Sequence, residues 1–308
     1  MTSSLVITGV DGFVGRHLAR VAAEAGANVI GISRARAAET GLRDVLSGYI
    51  SADLRASWPA PAPSDAAVVH LAGLAAVGPS FDRPQDYIGG NSAMVTNMCE
   101  ARLAAGSSAR IVIVSTGAVY ATKDGDSKRT EDDPITFTSP YVVSKILVEN
   151  QAAYYRRRGL DTVVARPFNH VGPGQALGFL VPDLVSRVRS LEPGEPLTVG
   201  DLSTRRDYTD VRDVARAYMN LACAPGLDQN VYNIASGAAR SGAEILQLIC
   251  GSLSVPVPAL EIDRTRLRPD DPTSIVGDST RLRDSTGWKP AIPLEQTIHD
   301  VVSIKQPR

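Results

Sequence analysis

Cysteine is scarce in this chain: Cys99, Cys223 and Cys250 are the only three in 308 residues. Their odd number and wide spacing fit neither a disulfide framework nor a zinc site, so no metal is expected and a reducing, cytoplasmic setting is the natural reading. Neither sign of charge dominates. Lys and Arg number 32 against 33 Asp and Glu, for a net charge of −1, which argues against a nucleic-acid partner and against a membrane-surface one. Long hydrophobic runs are missing too. Stretches such as Ile111-Val112-Ile113-Val114 are far too short to span a bilayer. The N-terminus passes at once into a strand-like run and a glycine loop, without the pattern of a signal peptide.

What is present is ordinary globular composition, 44% apolar and 21% charged, in a length that suits one large or two smaller domains. Short apolar runs at Leu5 to Thr8, Asn28 to Ile32, Ala66 to His70, Arg110 to Ser115, Thr162 to Arg166 and Val231 to Ala235 alternate with helical stretches. That alternation predicts a parallel sheet covered on both faces. Beyond Pro167 the pattern loosens around Gly172-Pro173-Gly174-Gln175 and Pro193-Gly194-Glu195-Pro196. We therefore expect an α/β fold: a doubly wound parallel sheet over residues 1–166, with segments near 205–238 and 273–284 returning to it. Residues 167–308 should mainly form a smaller, interleaved α/β lobe.

Gly9-Val10-Asp11-Gly12-Phe13-Val14-Gly15 lies between the first strand and the first helix, the context in which glycine spacing carries meaning. Glycines there allow the tight turn, admit a pyrophosphate to the backbone and pack helix on strand. The helix N-terminus then offers N–H groups to the phosphates. Gly9, Gly12, Phe13, Val14 and Gly15 are thus expected to bind a dinucleotide. An NAD-binding version would place a carboxylate at the end of the second strand. This chain has Ser33, Arg34 and Arg36 there, which suit a 2′-phosphate and favour NADP over NAD.

Tyr141-Val142-Val143-Ser144-Lys145 puts a phenol and an ammonium four residues apart, on one helix face. A nearby cation favours phenolate, and a tyrosine so placed can trade a proton with a sugar oxygen. Alone, this pair describes any surface lysine beside a half-buried aromatic. Its weight comes from the glycine loop and from Ser115-Thr116-Gly117-Ala118-Val119-Tyr120, which ends a strand where a parallel sheet opens to its ligand.

Together these segments resemble the extended short-chain dehydrogenase/reductase family, the NAD-dependent epimerases and dehydratases of nucleotide-sugars. The resemblance extends to Asp53-Leu54, His70-Leu71-Ala72-Gly73, Asn91 opening a helix, and Arg166-Pro167-Phe168-Asn169, and so covers nearly the whole chain. It implies a Rossmann-type fold. Thr116 would hydrogen-bond the reacting oxygen, Tyr141 would donate or accept the proton, and Lys145 would lower its pKa and hold the nicotinamide ribose. Asp53 and Leu54 would grip the adenine, and Leu71, Ala72 and Gly73 would line the cofactor. Asn169, Arg206 and Arg268 would contact the nucleotide-sugar, with ion pairing to Asp207 and Asp270 as the plain structural reading of the two arginines. His70 and His170 read as positioning or structural residues. A homodimer is implied through helices near 91–105 and 141–158, with Ala152, Ala153, Tyr154, Tyr155, Met94, Met98 and Leu103 as contact residues.

Arg166 to Gln175, Arg205 to Asp213 and Arg283 to Pro290 resemble the GDP-mannose 4,6-dehydratase branch and its reductase relatives. A dehydratase of this family places a glutamate base two residues after the threonine. Here that residue is Ala118, which accepts no proton. The resemblance therefore implies NADPH-dependent reduction of the C4 ketone of a nucleotide-linked 4-keto-6-deoxyhexose, with GDP-4-keto-6-deoxy-D-mannose to GDP-D-rhamnose favoured. Two rivals stand beside it: a 4-epimerase holding NAD tightly, and a dinucleotide-sensing protein that does no chemistry.

Overall fold

A computed structural model describes residues 4–123, 127–266 and 272–304. The first half alternates strand and helix: β1 (Ser4–Thr8), α1 (Phe13–Glu24), β2 (Asn28–Ser33), the short α2 (Thr40–Arg43), β3 (Gly48–Ser51), β4 (Ala67–His70), α3 (Val77–Asp82), α4 (Pro84–Ala104), β5 (Ile111–Val114), α5 (Pro140–Arg157) and β6 (Thr162–Pro167). The second half is shorter-stepped: β7 (Asn169–Val171), α6 (Leu180–Ser190), β8 (Leu197–Val199), β9 (Arg205–Asp210), α7 (Val211–Cys223), β10 (Val231–Ile234), β11 (Ala239–Ser241), α8 (Gly242–Leu253), β12 (Leu260–Ile262), β13 (Ser274–Ile275), α9 (Thr280–Thr286) and α10 (Leu294–Ser303).

The central sheet has seven parallel strands in the order β10-β6-β5-β4-β1-β2-β3. Successive residues of its strands serve opposite cores, as a sheet buried on both faces requires. Leu5, Ile7, Val112 and Val163 pack with α1 and α7 residues such as Leu18 and Val214. Val6, Ile111, Ile113 and Val164 pack with Met98 of α4 and Val148 of α5. This is a Rossmann-like α/β fold. The strand order reverses between β1 and β4, so the carboxyl ends of these two strands open a crevice, the usual ligand position in such sheets.

A second sheet joins β11, β9 and β13, with β7 pairing β9, and a third pairs β8 with β12. Helices α6, α8 and α10 close over a separate core that includes Val185, Ile249 and Ile298. Of the segments expected to return to the main sheet, α7 and α9 pack against it and β10 extends its edge, while β9 and β13 pair in the smaller sheet. Phe168 alone separates β6 from β7, so the chain crosses between the two sheets within one residue. Asp207 of β9 ties them together. Its buried carboxylate accepts from the Ser236, Gly237 and Gly277 backbone N–H groups and from the Ser236 hydroxyl. Ion pairing of Arg206 with Asp207, the plain structural alternative for that arginine, gives way to this nest, because a buried carboxylate needs several donors at once.

Two expectations about the helices change. Helix α4 begins at Pro84, which suits a first turn, so Asn91 lies inside the helix and does not open it. Met94, Met98, Ala152 and Tyr155, expected as dimer contacts, are buried within the chain itself. Their i, i+4 and i, i+3 spacings form the inner stripe of each helix, facing the sheet and one another. Tyr154 is the aromatic turned outward, 54% exposed.

Candidate active site

The turn after β1 depends on its glycines. Gly9 adopts φ +68°, and a Cβ there would stand 2.9 Å from the Ala72 nitrogen. A Cβ on Gly15 would stand 2.7 Å from the Val10 Cα, closer than real side chains come. Gly12 caps α1 without any side chain, leaving the first-turn N–H groups to an external acceptor. Phe13 and Val14 open that helix; the Phe13 ring stacks against His170 with centroids 6.1 Å apart. This cradle fits a dinucleotide pyrophosphate.

Across the crevice, the end of β4 is locked to the loop. The Ala72 N–H donates to Thr8 Oγ1 at 3.1 Å, and that hydroxyl meets His70 Nδ1 at 2.9 Å. Burial pushes His70 down to about 3, helped by the Lys145 charge, so the ring stays neutral and acts as a spacer. Leu71 and Ala72 are half-buried and Gly73 is exposed. A Cβ on Gly73 would lie 3.8 Å from Lys145 Nζ. Asn91 fixes this segment, accepting from Leu74 N at 2.9 Å and donating to Ser144 Oγ at 3.0 Å.

Just after β3, Leu54 is buried, whereas Asp53 is exposed and its carboxylate is forked by Arg55, with contacts of 2.6 to 3.1 Å. Hydrogen bonding from Arg55 holds Asp53 at about 2. Ser33 ends β2 half-buried, followed by exposed Arg34 and Arg36.

Thr116, Tyr141 and Lys145 come together. Ser139 caps α5 through Val142 N at 3.2 Å, with Pro140 in the first turn, so the helix starts where Tyr141 faces β5. Thr116 caps the short turn Gly117–Val119 and accepts from Ala118 N at 3.2 Å. Its hydroxyl lies toward the Tyr141 phenol and acts to lower that group's pKa. Lys145 Nζ donates to the Val114 carbonyl at 2.9 Å and stands 6.0 Å from the Tyr141 ring centre. Ala118 is exposed beside this group.

The electrostatics depart from the expected tuning. Burial raises the Tyr141 pKa, the Thr116 hydroxyl opposes this, and Tyr87 adds to the rise. The ammonium engages a backbone carbonyl instead of the phenol, which explains why it does not dominate. Tyr141 therefore keeps its proton at neutral pH and stands ready to donate it. Burial also lowers Lys145 from 10.5 to about 8, with Glu149 opposing. Its folded value lies below the unfolded one, so the unfolded chain binds more protons between about pH 8 and 10.5, and stability rises with pH across that window. Lys145→Met should remove that rise, about 3 kcal/mol by linkage. Urea titrations at both ends of the window check it; an unchanged pH slope in the variant would speak against a buried ammonium.

For the substrate side, Asn169 is exposed at the start of β7. Arg206 is half-buried and donates to the Arg205 and Pro272 carbonyls at 2.8 and 2.9 Å. Arg268 lies outside the described residues. Sequence reasoning missed Tyr87, a tyrosine 2% exposed that shares an apolar cluster with Tyr141. Its distance from Tyr141 in sequence left no signal. Among the described residues no group of His, Cys, Asp and Glu is placed to hold a metal ion, and no helix is long and apolar enough to cross a membrane.

Comparison with known proteins bears on the family and the fold. Residues 5–235 match the model of the NAD dependent epimerase/dehydratase family. A GDP-6-deoxy-D-mannose reductase of Pseudomonas aeruginosa is 32% identical, over 98% of this chain and 97% of its own. A UDP-glucose 4-epimerase of Halalkalibacterium halodurans is 28% identical, over 96% and 93%. Among solved structures, RMD from Pseudomonas aeruginosa complexed with NADPH superposes with a TM-score of 0.82 at 29% identity, covering 98% of each chain. MoeE5 in complex with UDP-glucuronic acid and NAD gives 0.82 at 29%, covering 97% and 98%. The chain thus belongs to the NAD dependent epimerase/dehydratase family of extended short-chain dehydrogenases/reductases and is an NAD(P)-dependent oxidoreductase.

Proposed function

We propose that this enzyme reduces the C4 ketone of a nucleotide-linked 4-keto-6-deoxyhexose with NADPH, and that GDP-4-keto-6-deoxy-D-mannose, giving GDP-D-rhamnose, is its substrate. Ala118 is the observation that carries the reading. It stands exposed two residues beyond Thr116, where a dehydratase would need a carboxylate to take the C5 proton, and a methyl group accepts nothing. A ketone reduction needs only a hydride and one proton.

When bound, the reduced nicotinamide supplies the hydride. The chain supplies everything else. Gly9, Gly12 and Gly15 admit the pyrophosphate to the uncapped start of α1, and Arg34 and Arg36 suit a 2′-phosphate. Thr116 and Tyr141 polarise the keto oxygen through their hydroxyls, and Tyr141 gives up its proton as the alkoxide forms. Lys145, held by the Val114 carbonyl, keeps a positive charge close to the phenol, where it stabilises the phenolate left behind. Asn169 and Arg206 serve the nucleotide-sugar, with residues 167–308 forming most of that lobe and residues 1–166 most of the cofactor side.

The GDP-6-deoxy-D-mannose reductase relative supports the GDP-linked substrate. The UDP-glucose 4-epimerase relative favours a second reading, oxidation and return of hydride at C4 by a tightly held NAD. Offering GDP-, UDP- and dTDP-linked 4-keto-6-deoxyhexoses with NADPH separates them. Turnover should be confined to, or strongest with, the GDP sugar; turnover of the UDP sugar alone would contradict the GDP assignment.

A further inference from the structure

The end of β2 lacks the carboxylate that reads a ribose hydroxyl, yet the fold brings one there from another direction. Asp11 lies inside the glycine loop, between Gly9 and Gly12. Tyr49 of β3 donates its hydroxyl to Asp11 Oδ2 at 2.7 Å. The same hydroxyl stands 3.0 Å from the Ala35 carbonyl. So one phenol pins the glycine loop to the segment that follows β2. The other carboxylate oxygen, Asp11 Oδ1, is buried without a hydrogen-bond partner among the described residues. Arg16, the nearest basic side chain on α1, takes the Asp11 backbone carbonyl and Glu39, leaving the carboxylate unneutralised by it.

In dinucleotide folds the end of the second strand faces the adenosine ribose: a carboxylate there accepts from the 2′-hydroxyl, and an arginine there accommodates a 2′-phosphate. Arg34 and Arg36 are exposed there, and Asp11 is joined to the same segment through the Tyr49 hydroxyl. A fixed carboxylate under low dielectric repels a phosphate dianion and leaves a hydroxyl untouched or favoured. We propose that Asp11, held by Tyr49, is a specificity-determining residue that offsets Arg34 and Arg36 and so sets how strongly the chain prefers a 2′-phosphorylated over an unphosphorylated dinucleotide. The inference rests on the reading that the glycine loop binds a nicotinamide dinucleotide. Tyr49 matters because its hydroxyl draws off part of the carboxylate charge. Burial and Asp11 raise its pKa to about 12, so it remains a donor.

Two substitutions of nearly unchanged shape should move the preference in opposite directions. Asp11→Asn removes the charge and should raise the ratio of NADH to NADPH dissociation constants about fivefold. Tyr49→Phe removes the donor, strips the carboxylate of its partner and should lower that ratio about threefold. Isothermal titration of the cofactor-free chain with each dinucleotide reads both constants without turnover. A purely structural role would shift both constants by a common factor, and that result, or two shifts of the same sign, overturns the proposal. Arg34→Ala with Arg36→Ala tests the underlying preference separately: it should weaken NADPH alone. If it does not, the arginines are not the phosphate readers, while the opposed shifts of Asp11→Asn and Tyr49→Phe still decide the carboxylate's role. Binding of neither dinucleotide to the unaltered chain overturns both.

Discussion

Tyr141→Phe should lower single-turnover reduction by about 10² to 10⁴, the usual worth of a positioned general acid, while leaving dinucleotide affinity nearly unchanged. The hydroxyl is the only atom lost. The ring stays in its cluster with Tyr87, Val119 and Phe168, so the fold has no reason to shift. What disappears is the proton of a phenol that burial keeps protonated at neutral pH. Thr116 would still polarise the ketone, so residual activity above the uncatalysed rate is expected. Full turnover in the variant would remove Tyr141 from the chemistry, whatever its position.

The largest effect on stability should come from Glu149→Ala. Arg166 of β6 forks Glu149 of α5 through two bonds of 2.9 and 2.7 Å, and the two side chains are only 8% and 11% exposed. The guanidinium also donates to the Tyr120 hydroxyl at 2.9 Å, which in turn donates to Asn233 Oδ1 at 2.6 Å. One network therefore joins α5 to β6, to the active-site turn and to β10. Removing the carboxylate leaves a buried cation with no counter-charge, which costs about 3–5 kcal/mol in comparable cases. Replacing both partners by apolar residues of similar volume, as in Arg166→Met with Glu149→Leu, should recover most of that loss. Urea unfolding of the three proteins decides the matter. A loss below about 1 kcal/mol for Glu149→Ala would mean that water reaches the guanidinium and the pair behaves as a surface one.

Much of this arrangement could be read from the chain, for identifiable reasons. Strands buried on both faces are runs of Val and Ile, so β1, β2, β4, β5 and β6 stand out to within a residue or two of their observed ends. The glycine loop was legible because backbone geometry demands those residues, and Tyr141 and Lys145 because a helix spaces them. The smaller sheet was hidden. Strand β9 reads Arg-Arg-Asp-Tyr-Thr-Asp, a polar segment whose pairing depends on partners distant in sequence. An apolar stripe does not say which neighbour covers it, and Met94, Met98, Ala152 and Tyr155, expected at a dimer surface, are covered by the chain itself. The tuning of Tyr141 depends on burial and on the carbonyl that captures Lys145, neither visible in a spacing. Asp11 and Tyr49, separated by a whole βα unit, gave no sign that they meet.

Whether this site reduces a ketone is tested most directly by isotope transfer. NADPH carrying deuterium at the transferred position, supplied with GDP-4-keto-6-deoxy-D-mannose, should yield a 6-deoxyhexose with deuterium at C4 and one equivalent of oxidised cofactor per sugar. A keto-sugar returned unreduced with the cofactor unoxidised, or a product bearing no deuterium at C4, would contradict the account.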